Sequence, residues 1–171
     1  MTRARVLLFA GVGVGALALL LGSTMSDNMS GPTWDRLVPV MRHKVLRLLA
    51  QAKAAGLSVM FFQGWRSPQQ EQANQAKGTS FLSDALNSYH IWGAAADIVF
   101  QNALGQPYWP DAADPRWQQL GAIGKSLGLT WGGDWHQKDM AHFQLPLSIA
   151  QLRDQYGNDY LAYLHDQGAI A

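Results

Sequence analysis

A single carboxylate, Asp97, interrupts the otherwise apolar run at residues 94–101 (AAADIVFQ). The run predicts a buried strand. An ionised side chain inside such a strand is costly unless it is paired, hydrogen-bonded or bound to a metal. Asp97 therefore requires a partner, and the first candidate along the chain is His90, on the loop that precedes the strand.

A second segment supplies the remaining polar groups. His142 opens another short apolar stretch, residues 142–145, and Asp139 precedes it by three positions. If the two strands are neighbours, His90, Asp97 and His142 converge on one point. Two imidazoles and a carboxylate form a catalytic zinc set that leaves a fourth position for water. Asp139 is then placed to take the proton of that water without being a ligand.

Other histidines compete for the same role. His136 lies six residues before His142 and is the alternative ligand, although it stands in a charged turn. His43 and His165 lie in helical stretches and are expected to face solvent. Asp134, in the sequence Gly-Gly-Asp, is typical of a turn. The preferred ligand set is therefore His90, Asp97 and His142.

Composition limits the class of protein. The 171 residues are 48% hydrophobic and 15% charged, which predicts one compact domain with a core. Cysteine is absent, so any metal must be held by His, Asp or Glu. Glu71 is the only glutamate, and a carboxylate base is therefore expected to be an aspartate. The formal net charge of +1 argues against a nucleic-acid partner.

The N-terminus is predicted to be a separate export segment. Arg3 and Arg5 precede an uncharged stretch at residues 6–22, and the first acidic residue is Asp27. This layout is typical of a signal or anchor segment whose amino end stays in the cytoplasm. As a helix the stretch reaches only about 25 Å, a marginal span. A cleaved signal, a permanent anchor and a releasable anchor stay open, with a buried core helix as the disfavoured alternative.

Hydrophobic periodicity and turn residues predict helices alternating with short strands after this segment. We expect a signal or anchor at residues 1–25, a linker and turn at 26–38 and a catalytic domain at 39–171. Helices are expected over residues 39–55, 68–77, 115–127 and 148–167, the last with a break near Gly157, and strands over residues 57–63, 94–101, 129–131 and 142–145.

Arg66 stands at the junction between the first strand and the helix that follows it. Ser67-Pro68-Gln69-Gln70 is a capping box with proline at the first helical position. A guanidinium at such a junction is able to face a developing oxyanion. A surface salt bridge is the competing interpretation of Arg66, and local sequence does not separate the two.

Four ordered motifs resemble a known family: Gly64-Trp65-Arg66-Ser67, Ser88-x-His90-x-x-Gly93-x-Ala95-x-Asp97, Trp131-Gly132-Gly133-Asp134-Trp135 and Asp139-x-x-His142-Phe143. Together they closely resemble the zinc peptidases of the D-Ala-D-Ala carboxypeptidase and L-alanyl-D-glutamate endopeptidase group, which cut the peptides of bacterial cell walls. The resemblance covers roughly residues 39–145. It implies a small α+β fold with helices packed against an antiparallel sheet.

The resemblance also implies residue roles. His90, Asp97 and His142 would bind one zinc ion, Asp139 would be the general base, and Arg66 would stabilise the oxyanion. A substrate-binding set is expected as well: Ser88, which would bind substrate or orient the site, and Trp135, which would line a substrate groove or lie in the core.

The aspartate at position 139 and the weak N-terminal span resemble phage endolysins with a signal-arrest-release segment. We therefore expect a monomeric endolysin that cleaves murein stem peptides, most often at L-Ala-D-Glu, during host lysis. The catalytic domain is expected outside the cytoplasm, tethered by residues 6–22 or released into the periplasm. The alternatives are a periplasmic D,D-carboxypeptidase or dipeptidase, and a membrane-tethered wall-binding module without turnover.

Overall fold

The computed structural model describes residues 29–78, 80 and 82–171. Its helices are α1 (Pro32–Asp35), α2 (Pro39–Ala54), α3 (Pro68–Ala76), α4 (Pro115–Ser126), α5 (Ile149–Tyr156) and α6 (Tyr160–Asp166). Its strands are β1 (Val59–Gln63), β2 (Ala95–Gln101), β3 (Pro107–Tyr108), β4 (Thr130–Trp131) and β5 (His142–Gln144), with 3₁₀ turns at Ala85–Asn87 and Gly132–Asp134. The predicted α+β class is confirmed.

The strands form one small antiparallel sheet in the order β1-β2-β5-β4, with β3 paired to the end of β2. The two strands that carry the candidate ligands, β2 and β5, are neighbours, and their register sets Asp97 directly opposite His142. On the other side of β2, the register of β1 shifts between Phe61 and Gln63, which brings Gln63 opposite Asp97. Such a bulge redirects the side chains beside it.

Side-chain alternation divides the sheet into a helix-covered face and a face that bears the polar residues. Phe100 packs edge to face on Trp117 of α4, with ring centroids 4.8 Å apart. Phe143 lies against Gly124 of the same helix. Because neighbouring residues of a strand point to opposite faces, Asp97 and His142 project from the face away from α4.

The packed unit begins before Pro39. Leu37 and Val38 are fully buried, and Trp34 meets Phe61 edge to face at 5.1 Å. Residues 26–38 were predicted to be linker and turn. Within them, Pro32–Asp35 forms α1, and the turn that follows is part of the core. The contacts of this segment are distant in sequence, because Trp34 meets Phe61 of β1 and Val38 N donates to Gly93 O at 3.0 Å.

Element boundaries differ slightly from the prediction. The first strand begins at Val59 rather than at residue 57, because Leu57 N donates to Ala52 O and so belongs to the turn that ends α2. Gly56 occupies that turn with φ +78°, as expected of a helix-ending glycine. The capping box at Ser67 and the helix break at Gly157 are confirmed.

The predicted membrane segment, residues 6–22, lies outside the described residues. Among the residues that the structure does describe, no helix combines the length and apolarity required for a membrane span.

Candidate metal centre

Three ligand atoms from β2, β5 and the loop before β2 meet at one point. His90 Nε2 lies 3.2 Å from His142 Nδ1, and Asp97 Oδ1 lies 3.4 Å from each of these nitrogens. His90 and His142 are buried, and the side chain of Asp97 is 15% exposed. The predicted set is therefore brought together as one His-Asp-His cluster.

The spacing of the three atoms fits a tetrahedral metal ion. Bonds of about 2.0–2.1 Å to ligands at the corners of a tetrahedron place those ligands about 3.3 Å apart. Asp97 Oδ1 is also buried without a hydrogen-bond partner among the described residues. Two imidazole lone pairs and a carboxylate oxygen at this separation repel one another unless a cation or a proton lies between them. The donor set fits zinc, which accepts nitrogen and oxygen ligands.

Hydrogen bonds on the far side of each imidazole fix which nitrogen faces the cluster. His90 Nδ1 lies 2.6 Å from Gly64 O, and a carbonyl only accepts, so Nδ1 carries the proton and the Nε2 lone pair points inward. His142 Nε2 donates to Gln144 Oε1 at 3.0 Å, which leaves its Nδ1 lone pair facing inward. Partners of this kind orient metal-binding histidines and raise their basicity.

The pKa shifts show a site that favours positive charge at its centre. Although burial opposes ionisation, the imidazoles of His90 and His142 hold the pKa of Asp97 well below its ordinary value. Burial, reinforced by the charge of Arg66, lowers the pKa of His90. Burial also acts against a charged His142, but the adjacent carboxylate of Asp97 and, more weakly, that of Asp139 together raise its pKa. Of the two imidazoles, His142 is therefore the one whose protonated form its surroundings favour.

The carbonyl that orients His90 is itself held by the N-terminal turn. Gly64 N donates to Thr33 Oγ1, and Trp65 N donates to Thr33 O, both at 2.8 Å. A Cβ on Gly64 would lie 2.4 Å from Thr33 O, so only glycine allows this close approach. The segment around Thr33 thus contributes to the geometry of the ligand set.

The Trp131-Gly132-Gly133 motif builds the platform for Asp139. Asp139 N donates to Gly132 O at 3.1 Å, and Trp131 Nε1 donates to Met140 O at 2.9 Å. A Cβ on Gly132 would lie 2.4 Å from Asp139 O, and one on Gly133 would lie 2.2 Å from the Trp131 ring. Close packing therefore requires glycine at both positions. The same packing holds Asp139 at the start of the segment that leads to His142.

Asp139 stands beside the ligand cluster but is not part of it. The residue is solvent-exposed, yet partial desolvation of its carboxyl and the negative charge of Asp97 raise its pKa, while the imidazoles of His90 and His142 oppose the shift. Asp139 thus interacts electrostatically with all three candidate ligands but is not a ligand itself. This is the position expected of a base next to a metal-activated water.

Arg66 lies at the predicted strand-to-helix junction and is largely buried. Its Nε is 3.0 Å from Glu71 Oε2, and its Nη1 donates to Gln63 Oε1 at 3.4 Å. The side chain of Arg66 is 14% exposed and that of Glu71 only 1%. The competing interpretation of Arg66 as a surface salt bridge does not describe this buried pair.

The remaining predicted residues occupy distinct environments. Ser88 is buried in the turn before His90, where its carbonyl accepts from Ile91 N at 3.1 Å, a position suited to orienting the site. Trp135 is 37% exposed, and its ring centroid lies 5.1 Å from that of His142, so it borders the cluster on the solvent side. The competing ligand, His136, is exposed and does not join the cluster.

Comparison with known proteins finds a peptidase family that matches the segment carrying the site. A family model described as D-alanyl-D-alanine carboxypeptidase matches residues 82–145, the segment that contains His90, Asp97, Asp139 and His142. Over this segment the chain is similar to that peptidase family. The family resemblance expected from the four sequence motifs is thereby confirmed.

Individual relatives of this peptidase carry related names. The peptidoglycan L-alanyl-D-glutamate endopeptidase CwlK of Bacillus subtilis (strain 168) is 28% identical over 127 residues, covering 67% of this chain and 76% of that protein. The L-alanyl-D-glutamate peptidase of Listeria phage A118 is 33% identical over 90 residues, covering 52% of this chain and 30% of the phage protein.

Among solved structures, the peptidase shares its fold with the L-Ala D-Glu endopeptidase ChiX of Serratia marcescens. The TM-score is 0.51 at 22% sequence identity, with 68% of this chain and 86% of that chain covered. This likeness supports the α+β fold assignment.

Two polar residues around the peptidase site were not singled out from sequence. Gln144 faces His142 two positions along the same strand, and the alternation of side chains in β5 was the available signal. Glu71 is buried behind Arg66, and its only signal was its status as the sole glutamate, five residues after Arg66. Both act through contacts with residues that sequence reasoning had already identified.

Proposed function

We propose that this protein is a zinc-dependent peptidoglycan peptidase that hydrolyses an amide bond of the murein stem peptide, with L-Ala-D-Glu as the preferred bond. The observation that carries the proposal is the convergence of His90 Nε2, His142 Nδ1 and Asp97 Oδ1 within 3.4 Å of one another. The family and the names of the relatives in Bacillus subtilis and the Listeria phage support the substrate class.

One zinc ion per chain is the proposed cofactor. His90, Asp97 and His142 would hold it, and a three-residue nitrogen and oxygen set leaves a coordination position open for catalysis. When bound, the ion supplies Lewis acidity toward the scissile carbonyl and the attacking water. All three ligands come from one chain, so the site is complete in a monomer, which we propose as the active form.

The chain's own residues perform the remaining steps. The carboxylate of Asp139 accepts the proton of the attacking water and delivers it to the leaving amine. The guanidinium of Arg66 stabilises the negative charge that develops on the carbonyl oxygen. Trp135, exposed beside His142, borders the groove in which the stem peptide would lie. No covalent intermediate with the protein is required.

Digestion of purified murein by the full-length chain tests this function. We expect mass spectrometry to find glycan fragments that end in L-Ala, together with peptides that begin with D-Glu. Both products should require added zinc and disappear on chelation. Intact stem peptides after prolonged incubation with the zinc-loaded chain would contradict the proposal.

A D,D-carboxypeptidase is the second candidate, because the matching family model carries that description. The same digestion separates the two activities. A carboxypeptidase releases free D-Ala and shortens stem peptides from their carboxyl ends, while leaving the bond between L-Ala and D-Glu intact. Release of D-Ala without new D-Glu amino termini would select this candidate.

We also propose that residues 6–22 direct the chain to the inner membrane, with the catalytic domain outside the cytoplasm and a role in host lysis. The support is the basic flank of Arg3 and Arg5 before the uncharged stretch. Fractionation of bacteria that express the full chain should find it in the membrane or the periplasm. Finding the unprocessed chain entirely in the cytoplasm would contradict the proposal.

A further inference from the structure

A buried carboxylate stands behind the arginine of the proposed active site. Glu71 lies in the first turns of α3, and its side chain is only 1% exposed. One oxygen, Oε2, is 3.0 Å from Arg66 Nε. The other, Oε1, accepts a hydrogen bond from Ser80 Oγ at 2.6 Å. Oε1 of Glu71 is therefore hydrogen-bonded, while Oε2 is buried and meets the Arg66 guanidinium as an ion pair without a hydrogen bond in the described part of the chain.

The contact with Glu71 determines which edge of the Arg66 guanidinium is presented to the site. Glu71 engages Nε, and Nη1 donates to Gln63 Oε1 at 3.4 Å. Gln63 is the register partner of Asp97, so this contact directs the guanidinium toward the ligand-bearing strand. The charge of Arg66 also contributes to the lowered pKa of His90, which places the cation within electrostatic reach of the cluster.

We propose that Glu71 is a positioning residue, which holds the Arg66 guanidinium with its Nη edge toward the scissile carbonyl of the substrate. This inference rests on the proposed peptidase function. A buried guanidinium requires a nearby counter-charge, because an unpaired charge in such a setting is strongly destabilised. Without the carboxylate, Arg66 gains by turning toward solvent, and the oxyanion loses a pre-positioned donor.

Ser80 extends the contact between Glu71 and Arg66. Its hydroxyl fixes the second oxygen of Glu71, so the carboxylate keeps a single orientation toward Arg66. Ser80 belongs to the loop that leads toward the Ser88–His90 turn, while Glu71 and Arg66 flank the capping box at Ser67. The contacts among Ser80, Glu71 and Arg66 thus connect this loop to the start of α3, next to the site.

Steady-state kinetics of full-length variants on murein test the proposal. Glu71→Gln keeps the size and hydrogen-bonding capacity of the side chain but removes its charge. We expect kcat to fall on the order of tenfold or more with KM and zinc content unchanged, since misplacement of a charge-stabilising group acts on the transition state. Glu71→Asp, which keeps the charge, should retain more activity than Glu71→Gln.

A double-mutant cycle separates positioning from general destabilisation. In an Arg66→Ala background, Glu71→Gln should have almost no additional effect on kcat, because Glu71 acts through Arg66. The matched control is the partly exposed Asp84–Arg153 pair, 2.8 Å apart, where Asp84→Asn should leave kcat unchanged. Should Glu71→Gln fail to fold, as judged by circular dichroism, Ser80→Ala takes its place in the same cycle with a smaller expected loss.

The outcomes are distinguishable from failure of the proposed function. An inactive wild-type chain with zinc bound would count against the peptidase assignment itself. An active wild type whose kcat is unaffected by Glu71→Gln would overturn the positioning role alone. Equal losses in the Arg66 and Arg66→Ala backgrounds would overturn it as well, since they would show that Glu71 does not act through the guanidinium.

Discussion

Asp97 on β2 lies directly opposite His142 on β5, and its Oδ1 is 3.4 Å from His142 Nδ1. Sheet register alone therefore fixes two of the three candidate ligands, because directly paired residues of antiparallel strands share one face. The third ligand, His90, reaches the same point from a loop and is held by Gly64 O. The site thus combines a rigid pair on the sheet with one loop residue whose orientation depends on a single carbonyl.

Removing His142 should abolish metal binding. His142→Ala takes away one of three ligands and leaves Asp97 without one of its partners, so we expect the dialysed variant to contain no zinc by atomic emission and to lose activity. The matched control is His136→Ala, since His136 is exposed and outside the cluster. Equal zinc contents in the two variants would show that the ligand set is wrong.

Replacing the proposed base should separate catalysis from metal binding. Asp139→Asn leaves all three ligands in place, so zinc content should be unchanged while kcat falls about a hundredfold or more. Asp134→Asn is the control, because Asp134 is exposed and paired with Lys125 at 2.8 Å. Full activity of Asp139→Asn would favour the interpretation of the chain as a binding module without turnover.

A methyl group at Gly132 should displace the base. Its Cβ would lie 2.4 Å from Asp139 O, so the backbone of the segment must shift, at a cost of about 1–3 kcal/mol in the free energy of unfolding. We expect Gly132→Ala to lose both thermal stability and kcat. Gly105→Ala is a suitable comparison. The backbone of Gly105 has φ +74°, which strains an alanine, but no atom lies near the added Cβ. This variant should therefore lose stability and keep its kcat.

Gln144 should tune zinc affinity without touching the metal. Gln144→Leu removes the acceptor for His142 Nε2, and the loss of such a partner typically weakens metal binding about 10- to 100-fold. Gln144→Glu keeps a carbonyl-type acceptor and should hold the affinity close to that of the wild type. Isothermal titration of zinc into the metal-free proteins gives the zinc affinity of each variant. Identical affinities for Gln144→Leu and the wild type would exclude this role.

Zinc affinity should depend on pH through His142. Although burial opposes a charged imidazole, the adjacent carboxylate of Asp97 raises the pKa of His142. A raised pKa means that the proton is bound below that value, so zinc must displace it and the affinity falls as pH decreases through the shifted pKa. Zinc titrations at about pH 6, 7 and 8 should show this trend together with proton release. A zinc affinity that stays constant between about pH 6 and 8 would contradict the raised pKa of His142.

The sequence was sufficient to predict the ligands because their signals are local. Asp97 is a lone carboxylate in an apolar strand, and His142 opens a second such strand, so the cost of burying a charge pointed to a shared partner. The capping box after Arg66 likewise depends on four consecutive residues. Such features need only short-range chemistry and strand alternation to be recognised.

Other features depend on contacts that no local pattern encodes. Glu71 is hydrogen-bonded to Ser80 and Trp34 meets Phe61, and each of these partners lies outside the helix of the residue it contacts. The register shift between Phe61 and Gln63 is decided by pairing with β2 rather than by the residues of β1 themselves. For the same reason, the burial of the predicted turn at residues 34–38 could not be foreseen from those residues alone.

Anomalous X-ray scattering at the zinc edge, from crystals of the full chain grown with zinc, would locate the metal itself. We expect one strong peak per chain, about 2.0–2.2 Å from His90 Nε2, His142 Nδ1 and a carboxylate oxygen of Asp97. A peak at other residues, or no peak in crystals of protein shown to bind zinc in solution, would contradict this ligand set.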